Sequence, residues 1–273
     1  MTMKKIIYAF VGALALTLGL SSCSMFKYDV LDGPNAQING CLMDIVTGEK
    51  IGVESSSTDA GALVVVEQGW DAEAEQTWLV RFDGMYTNNL IFAGDYVFST
   101  KKLPCYEPEN KAFTVKPGKN RMNIALLPFC RVLNPVIEYK GGKVVATFSV
   151  ELTDPTRANT ISSVALCGNT QLFVGCNYQN LASKDPGAKI TAGVAPGETI
   201  TLEIDPELPA NADLFGKNTV TGAPYVQDRY FRIAAMANGN GFNTNKYYNF
   251  SPTFKLSADF STVTEVVWEG NDW

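Results

Sequence analysis

The sequence predicts an all-β protein built as two consecutive β-sandwiches, and three observations carry that expectation. Apolar residues fall in short runs rich in Val, Ile, Thr, Tyr and Phe, separated by Gly, Pro, Asn and Asp. Several runs alternate apolar and polar residues with period two, as a strand buried on one face must. Beyond the first 22 residues no long stretch has the periodicity of an amphipathic helix. Two sets of six or seven such runs fit two sandwiches of about 100–130 residues each.

The first segment is an address rather than part of the fold. Lys4 and Lys5 precede an apolar run over residues 6–20, the length of a signal h-region and short for a membrane span. It ends Leu20-Ser21-Ser22-Cys23, which resembles the lipobox of bacterial lipoproteins. That resemblance implies removal of residues 1–22 and a lipid on Cys23, which would hold the protein to a membrane. No later run has 18 consecutive apolar residues. Residues 23–33 then read as a tether.

In the first sandwich, residues 34–130, strands are expected at 36–42, 63–66, 77–82, 96–100, 112–115 and 121–127. Thr47-Gly48-Glu49, Phe82-Asp83-Gly84 and Lys116-Pro117-Gly118-Lys119 have turn chemistry. Glu54-Ser55-Ser56-Ser57-Thr58-Asp59 is a polar loop. Trp78 alternates with Val80 and Phe82 and belongs in a core. The junction is expected at residues 131–135, ahead of the second sandwich, residues 131–273. There Val144, Ala146, Phe148, Val150 and Leu152 alternate with Val145, Thr147, Ser149 and Glu151. Ile200, Leu202 and Ile204 repeat the pattern, as do Phe231, Ile233 and Ala235. Trp268 closes the last expected strand, Trp273 is terminal, and one of Tyr247 and Tyr248 should point inward and the other outward.

Composition removes whole classes of chemistry. The chain has no histidine, so Ser-His-Asp and Cys-His relays and His-ligated zinc are out. The net charge is −6, and loss of two lysines with the leader takes it to −8, a poor surface for nucleic acid. Six cysteines are present. With Cys23 lipidated, Cys41, Cys105, Cys130, Cys167 and Cys176 form an odd set without a C-x-x-C pair, so no zinc ribbon and no disulfide scaffold is expected. Cys167 and Cys176 could face each other across a hairpin, but spacing alone does not join them.

Four aromatics sit in polar, loop-like settings: Trp70 in Glu67-Gln68-Gly69-Trp70-Asp71, Tyr106, Tyr178 and Tyr225. Such rings can stack on sugars while their neighbours bond the hydroxyls, or can equally cap a core. They are the candidate ligand-binding residues. Asp71-Ala72-Glu73-Ala74-Glu75 reads as a solvated acidic loop, lacking the ligand order of a calcium loop. Gly239-Asn240-Gly241 is a loop without phosphate-loop context. Arg232, between Phe231 and Ile233, points away from the apolar face, to the surface or to the domain interface. No catalytic residue, metal ligand or cofactor is assigned, and the protein is expected not to be an enzyme.

The first module carries Ile38-Asn39-Gly40, Asp44-Ile45-Val46-Thr47-Gly48-Glu49, Asp83-Gly84-Met85-Tyr86 and Phe92-Ala93-Gly94-Asp95-Tyr96. That order resembles the transthyretin-like, carboxypeptidase-regulatory-like modules. With its lipobox, Tyr230-Phe231-Arg232 and Tyr247-Tyr248-Asn249-Phe250-Ser251, the chain resembles a two-domain Bacteroidetes lipoprotein family of unknown function whose second domain is immunoglobulin-like. The resemblance implies an outer-membrane lipoprotein facing the exterior that binds a polysaccharide or oligosaccharide beside a SusC/SusD-like transporter. The alternative is a surface lipoprotein that binds a protein partner.

Overall fold

Period-two alternation becomes two layered modules in the computed structural model, which describes residues 33–54, 59–217, 220–223, 225–239 and 247–267. The leader, Cys23 and most of the tether lie outside the described residues, as do residues 55–58, Asn240, Gly241, Trp268 and Trp273. Among the described residues no helix is long and apolar enough to cross a membrane.

The first module pairs two four-stranded sheets. One is built on β1 (Ala36–Asp44), which runs antiparallel to β4 (Met85–Ile91) and parallel to β7 (Gly118–Arg121) and β8 (Ile124–Leu126). The other has the order β3 (Glu75–Leu79), β2 (Ala62–Glu67), β5 (Gly94–Ser99), β6 (Ala112–Val115). Their inner faces bury Ile38, Leu42, Leu63, Val65, Tyr96 and Leu126 around Trp78. The Trp78 ring lies 6.0–6.3 Å from those of Tyr86, Tyr96 and Phe113, so the core placement of Trp78 holds. Each such side chain contributes about 1.5–3 kcal/mol on burial. Gly84 closes the turn into β4 at φ +83°, where a Cβ would stand 2.5 Å from the Ile51 carbonyl oxygen.

Two features differ from the sequence expectation. β4 had no place among the expected strands because its outward residues are polar and mostly exposed, leaving little alternation to read. The junction expected at residues 131–135 falls in the first half of an eleven-residue strand, β9 (Cys130–Lys140). Asn134, at φ +48°, and a register shift opposite Thr147 and Ser149 make the irregularity that admits Pro135. Only Leu127, Pro128 and Phe129 separate β8 from β9.

The second module sets the sheet β13 (Ile200–Ile204), β10 (Lys143–Leu152), β9 against a larger one. That sheet has the order β12 (Lys189–Ile190), β11 (Thr160–Asn169), β14 (Arg229–Asn238), β16 (Phe254–Leu256), β17 (Val263–Glu265), with β15 (Asn249–Phe250) also on β14. Val144, Ala146, Phe148 and Val150 pack with Ile200, Leu202, Phe231 and Ile233 in one core. The all-β, sandwich-type class is therefore the class observed.

β14 departs from the one-faced pattern: Phe231, Ile233 and Ala235 are buried, and so are Arg232, Ala234 and Met236. Its second face, with Ala165, Cys167, Val174, Tyr248 and Phe250, forms a separate apolar cluster. The first module lies against this side. Tyr247 and Tyr248 are both buried, where one was expected outside.

Candidate functional site

The joint between the modules is organised by charged side chains that the fold takes out of water. Arg232 is 1% exposed. It donates to the carbonyl oxygens of Val53 and Phe82 in the first module and of Val174 in the second, each at 3.0 Å, and to that of Ser251 at 3.4 Å. Its guanidinium lies 4.1 Å from the centre of the Phe250 ring. Burial lowers its pKa to about 10, with the nearby Glu54 charge opposing that shift, so it stays charged at neutral pH. A guanidinium suits the position because its donors fan out in a plane and match several carbonyls at once.

Glu54 is buried beside it and accepts from the backbone N–H groups of Cys176 and Asn177, at 3.1 and 2.9 Å. Residue 175 must be glycine for this approach, since a Cβ there would fall 1.5 Å from Glu54 Oε1. The Phe82 and Phe173 rings meet edge to face across the joint at 5.5 Å. Asn249 accepts from the Cys130 N–H at 3.2 Å and donates to the Pro104 carbonyl at 3.0 Å.

A third contact ties the end of β1 to the start of β9. Arg131 grips both carboxylate oxygens of Asp44, one through Nε and the other through Nη2 at 2.8 Å, and reaches Glu151 at 2.9 Å. Burial pushes the Asp44 carboxyl up, but Arg131 and the Val46 and Thr47 amides outweigh it, so its pKa lies below the ordinary value.

Between these anchors opens a cleft of about 650 Å³ with walls from both modules. Asp44, Glu49, Lys50 and Asp83 line it from the first; Arg131, Phe250 and Glu265 line it from the second. The volume is that of a small-molecule pocket, and the lining mixes ring and proline edges with charged and hydroxyl groups. Such a site can take a polar ligand with apolar faces. Among the described residues no group of three or more Cys, Asp or Glu could hold a metal ion.

None of the four aromatics singled out from the sequence lines this cleft. Trp70, Tyr178 and Tyr225 are 50%, 47% and 48% exposed. Trp70 follows Gln68, whose N–H bonds the Asp95 carbonyl at the start of β5. Tyr178 follows the Glu54-bound Asn177, and Tyr225 packs against Gly216. Tyr106 lies on a loop as expected but caps a core rather than meeting solvent: it is 4% exposed, edge to face on Phe129, with Arg157 4.0 Å over its ring. Asp71, Glu73 and Glu75 are exposed as expected, and Glu75 pairs with Lys101. The residues missed were Asp44, Arg131 and the cleft-lining phenylalanines. Their one sequence signal is a charge inside a strand-like apolar run, seen for Arg232 without a role.

Residues 36–126 match the family model described as the N-terminal domain of a protein of unknown function, DUF3823. The chain is 29% identical to a crystal structure from Bacteroides uniformis named a "putative carbohydrate binding protein", with a TM-score of 0.67 over 86% of this chain and all of that one. A DUF3823 family protein from Parabacteroides merdae is 19% identical, with a TM-score of 0.62 over 83% of this chain and all of that one. Another from Bacteroides uniformis is 15% identical, with a TM-score of 0.60 over 82% and 99%. The last two show likeness of fold. No protein of curated description matches the chain.

Proposed function

We propose that this protein is a non-catalytic, saccharide-binding outer-membrane lipoprotein that serves a SusC/SusD-like uptake system and takes its ligand in the cleft at the domain joint. The observation that carries the reading is the cleft itself, walled by two modules that named side chains hold in register. A sugar offers C–H faces to ring edges and hydroxyls to charged groups, and both kinds of partner line the walls. The neighbour named for carbohydrate binding, which shares the whole length of its own chain with this one, supports the ligand class. The lipobox-like Leu20-Ser21-Ser22-Cys23 supports the anchor. Asp44, held below its ordinary pKa and clamped by arginine, is poorly suited to act as a general acid in that cleft.

The test is affinity electrophoresis of the full chain against plant, host and microbial polysaccharides, beside Glu49→Ala, Lys50→Ala, Trp70→Ala and Tyr178→Ala. Retardation weakened by the Glu49 and Lys50 changes alone supports the cleft. Retardation lost only in the Trp70 or Tyr178 variant moves the site to the loops, and none across the panel ends simple glycan capture for those ligands. A second reading, capture of a protein partner, rests on exposed apolar side chains: Val267 in the cleft, 77% exposed, and Ile45 and Val46, 64% and 69% exposed, in the segment between the cleft-lining Asp44 and Thr47. A partner that binds the wild type but not Ile45→Asp, with no glycan retarding the chain, would favour it.

A further inference from the structure

We propose that Cys167 and Cys176 are an oxidation site: exchange with a low-molecular-weight disulfide joins them in an intramolecular disulfide that staples the segment reaching across the joint.

The segment between them is the strap of the molecule. β11 ends at Asn169, and the following residues set Phe173 on Phe82, the Val174 carbonyl on Arg232, and the Cys176 and Asn177 amides on Glu54. The strap then folds back onto β11, where the Leu181 N–H bonds the Gly168 carbonyl. Cys167 lies opposite Arg232 in the β11–β14 ladder, within the apolar cluster at the joint, and Cys176 packs on that same cluster. Each thiol perturbs the other's ionisation, as neighbours in one cluster do. Neither is bonded to a third cysteine in the described residues, where all five stand as free thiols.

The two sulfurs are unequal in the way that exchange requires. Cys167 is fully buried, and Cys176 is partly open to solvent. The neighbouring Cys167 side chain outweighs burial and lowers the Cys176 thiol, whereas burial pushes Cys167 up. Cys176 is therefore the attacking sulfur. Its thiolate attacks one sulfur of glutathione disulfide, breaking that S–S bond and releasing one glutathione thiolate. Cys167 then gives up its proton and attacks the Cys176 sulfur of the mixed disulfide, expelling the second glutathione. Two electrons and two protons leave the pair, and two glutathiones are formed.

The experiment starts with the full chain purified under reductant, freed of it and exposed to oxidised glutathione at neutral pH. The reaction is quenched with acid and mapped by mass spectrometry of unreduced peptides. The expected result is a Cys167–Cys176 linked peptide, with the protein lighter by two hydrogens. The melting temperature should rise by about 5–10 °C, reversibly with dithiothreitol. Cys176→Ser should abolish both effects, and Cys167→Ser should halt Cys176 at its glutathione adduct. A wild-type chain that stops at that adduct, links Cys176 to another cysteine, or forms the bond only when denatured would overturn the proposal. The mapping needs no variant to fold, so a destabilised serine variant leaves the result decisive.

Discussion

Arg229 and Arg232 stand three residues apart on β14. Both are buried, and both are solvated by backbone carbonyls and phenylalanine rings rather than by a hydrogen-bonded carboxylate. What they hold differs. Arg229 gathers the carbonyls of Leu214, Gln227 and Tyr225, from the short helix Ala212–Phe215 and the segment leading into its own strand. Its guanidinium lies over Phe215 and Phe260, at 5.1 and 4.7 Å. Arg232 gathers Val53 and Phe82, 179 and 150 residues away, with Val174 and Ser251. One chemical device thus closes a loop within a module and, a turn of the ladder later, locks one module to the other. A buried cation of this kind is costly by itself, and its value lies in the specific set of acceptors it demands.

The largest test of that contrast is Arg232→Met. It should cost about 3–5 kcal/mol, since the carbonyls of Val53, Phe82 and Val174 lose a charged donor inside the joint. Urea unfolding should split into two transitions as the modules uncouple, and one unbroken transition would remove the distinction between the two arginines. Arg229→Met should cost less, about 2–3 kcal/mol, with the loss confined to the second module. Hydrogen exchange around residues 212–230 should rise while residues 50–54 and 82–84 keep their protection. Third, Gly175→Ala should cost about 1–3 kcal/mol by driving Glu54 away from the strap. It should loosen the joint without touching the Arg229 knot, which exchange at residues 174–177 reads directly.

The smallest effect concerns acid. The folded Asp44 carboxyl sits below its ordinary value of 3.8, so its contribution is complete above that pH and is lost as pH falls through the folded pKa. Asp44→Asn should cost about 1 kcal/mol at neutral pH. The gap from wild type should narrow in denaturation curves taken below about pH 4, and a constant gap would show that the loss does not come from the Asp44 charge.

Legibility followed burial symmetry. β10 could be read because Thr147 and its outward neighbours meet solvent while Val144, Ala146, Phe148 and Val150 do not. β14 reads as continuous because a second module covers its outer face, which hides both its register and the role of Arg232. β4 was lost for the opposite reason, too few inward apolar residues. The cleft was invisible in the chain because its walls join residues from 44 to 267, and no local pattern brings Asp44 to Arg131. Loop aromatics show the same limit: Trp70 and Tyr106 have similar neighbours in sequence, yet one meets water and the other fills a core.

The parallel pairing of β1 with β7 and β8 has a mechanical consequence. β1 enters the fold at Ala36, and β8 leaves it at Leu126 for the second module, with three residues between it and β9. Because Leu42, Met43 and Asp44 run alongside Ile124, Ala125 and Leu126, a pull between the chain ahead of Ala36 and the second module draws these strands past one another lengthwise. Their ladder bonds then share the load together instead of opening one at a time. The Arg131–Asp44 clamp sits at the end of the same ladder. Drag on the second module would thus be carried by the stiffest direction of the first.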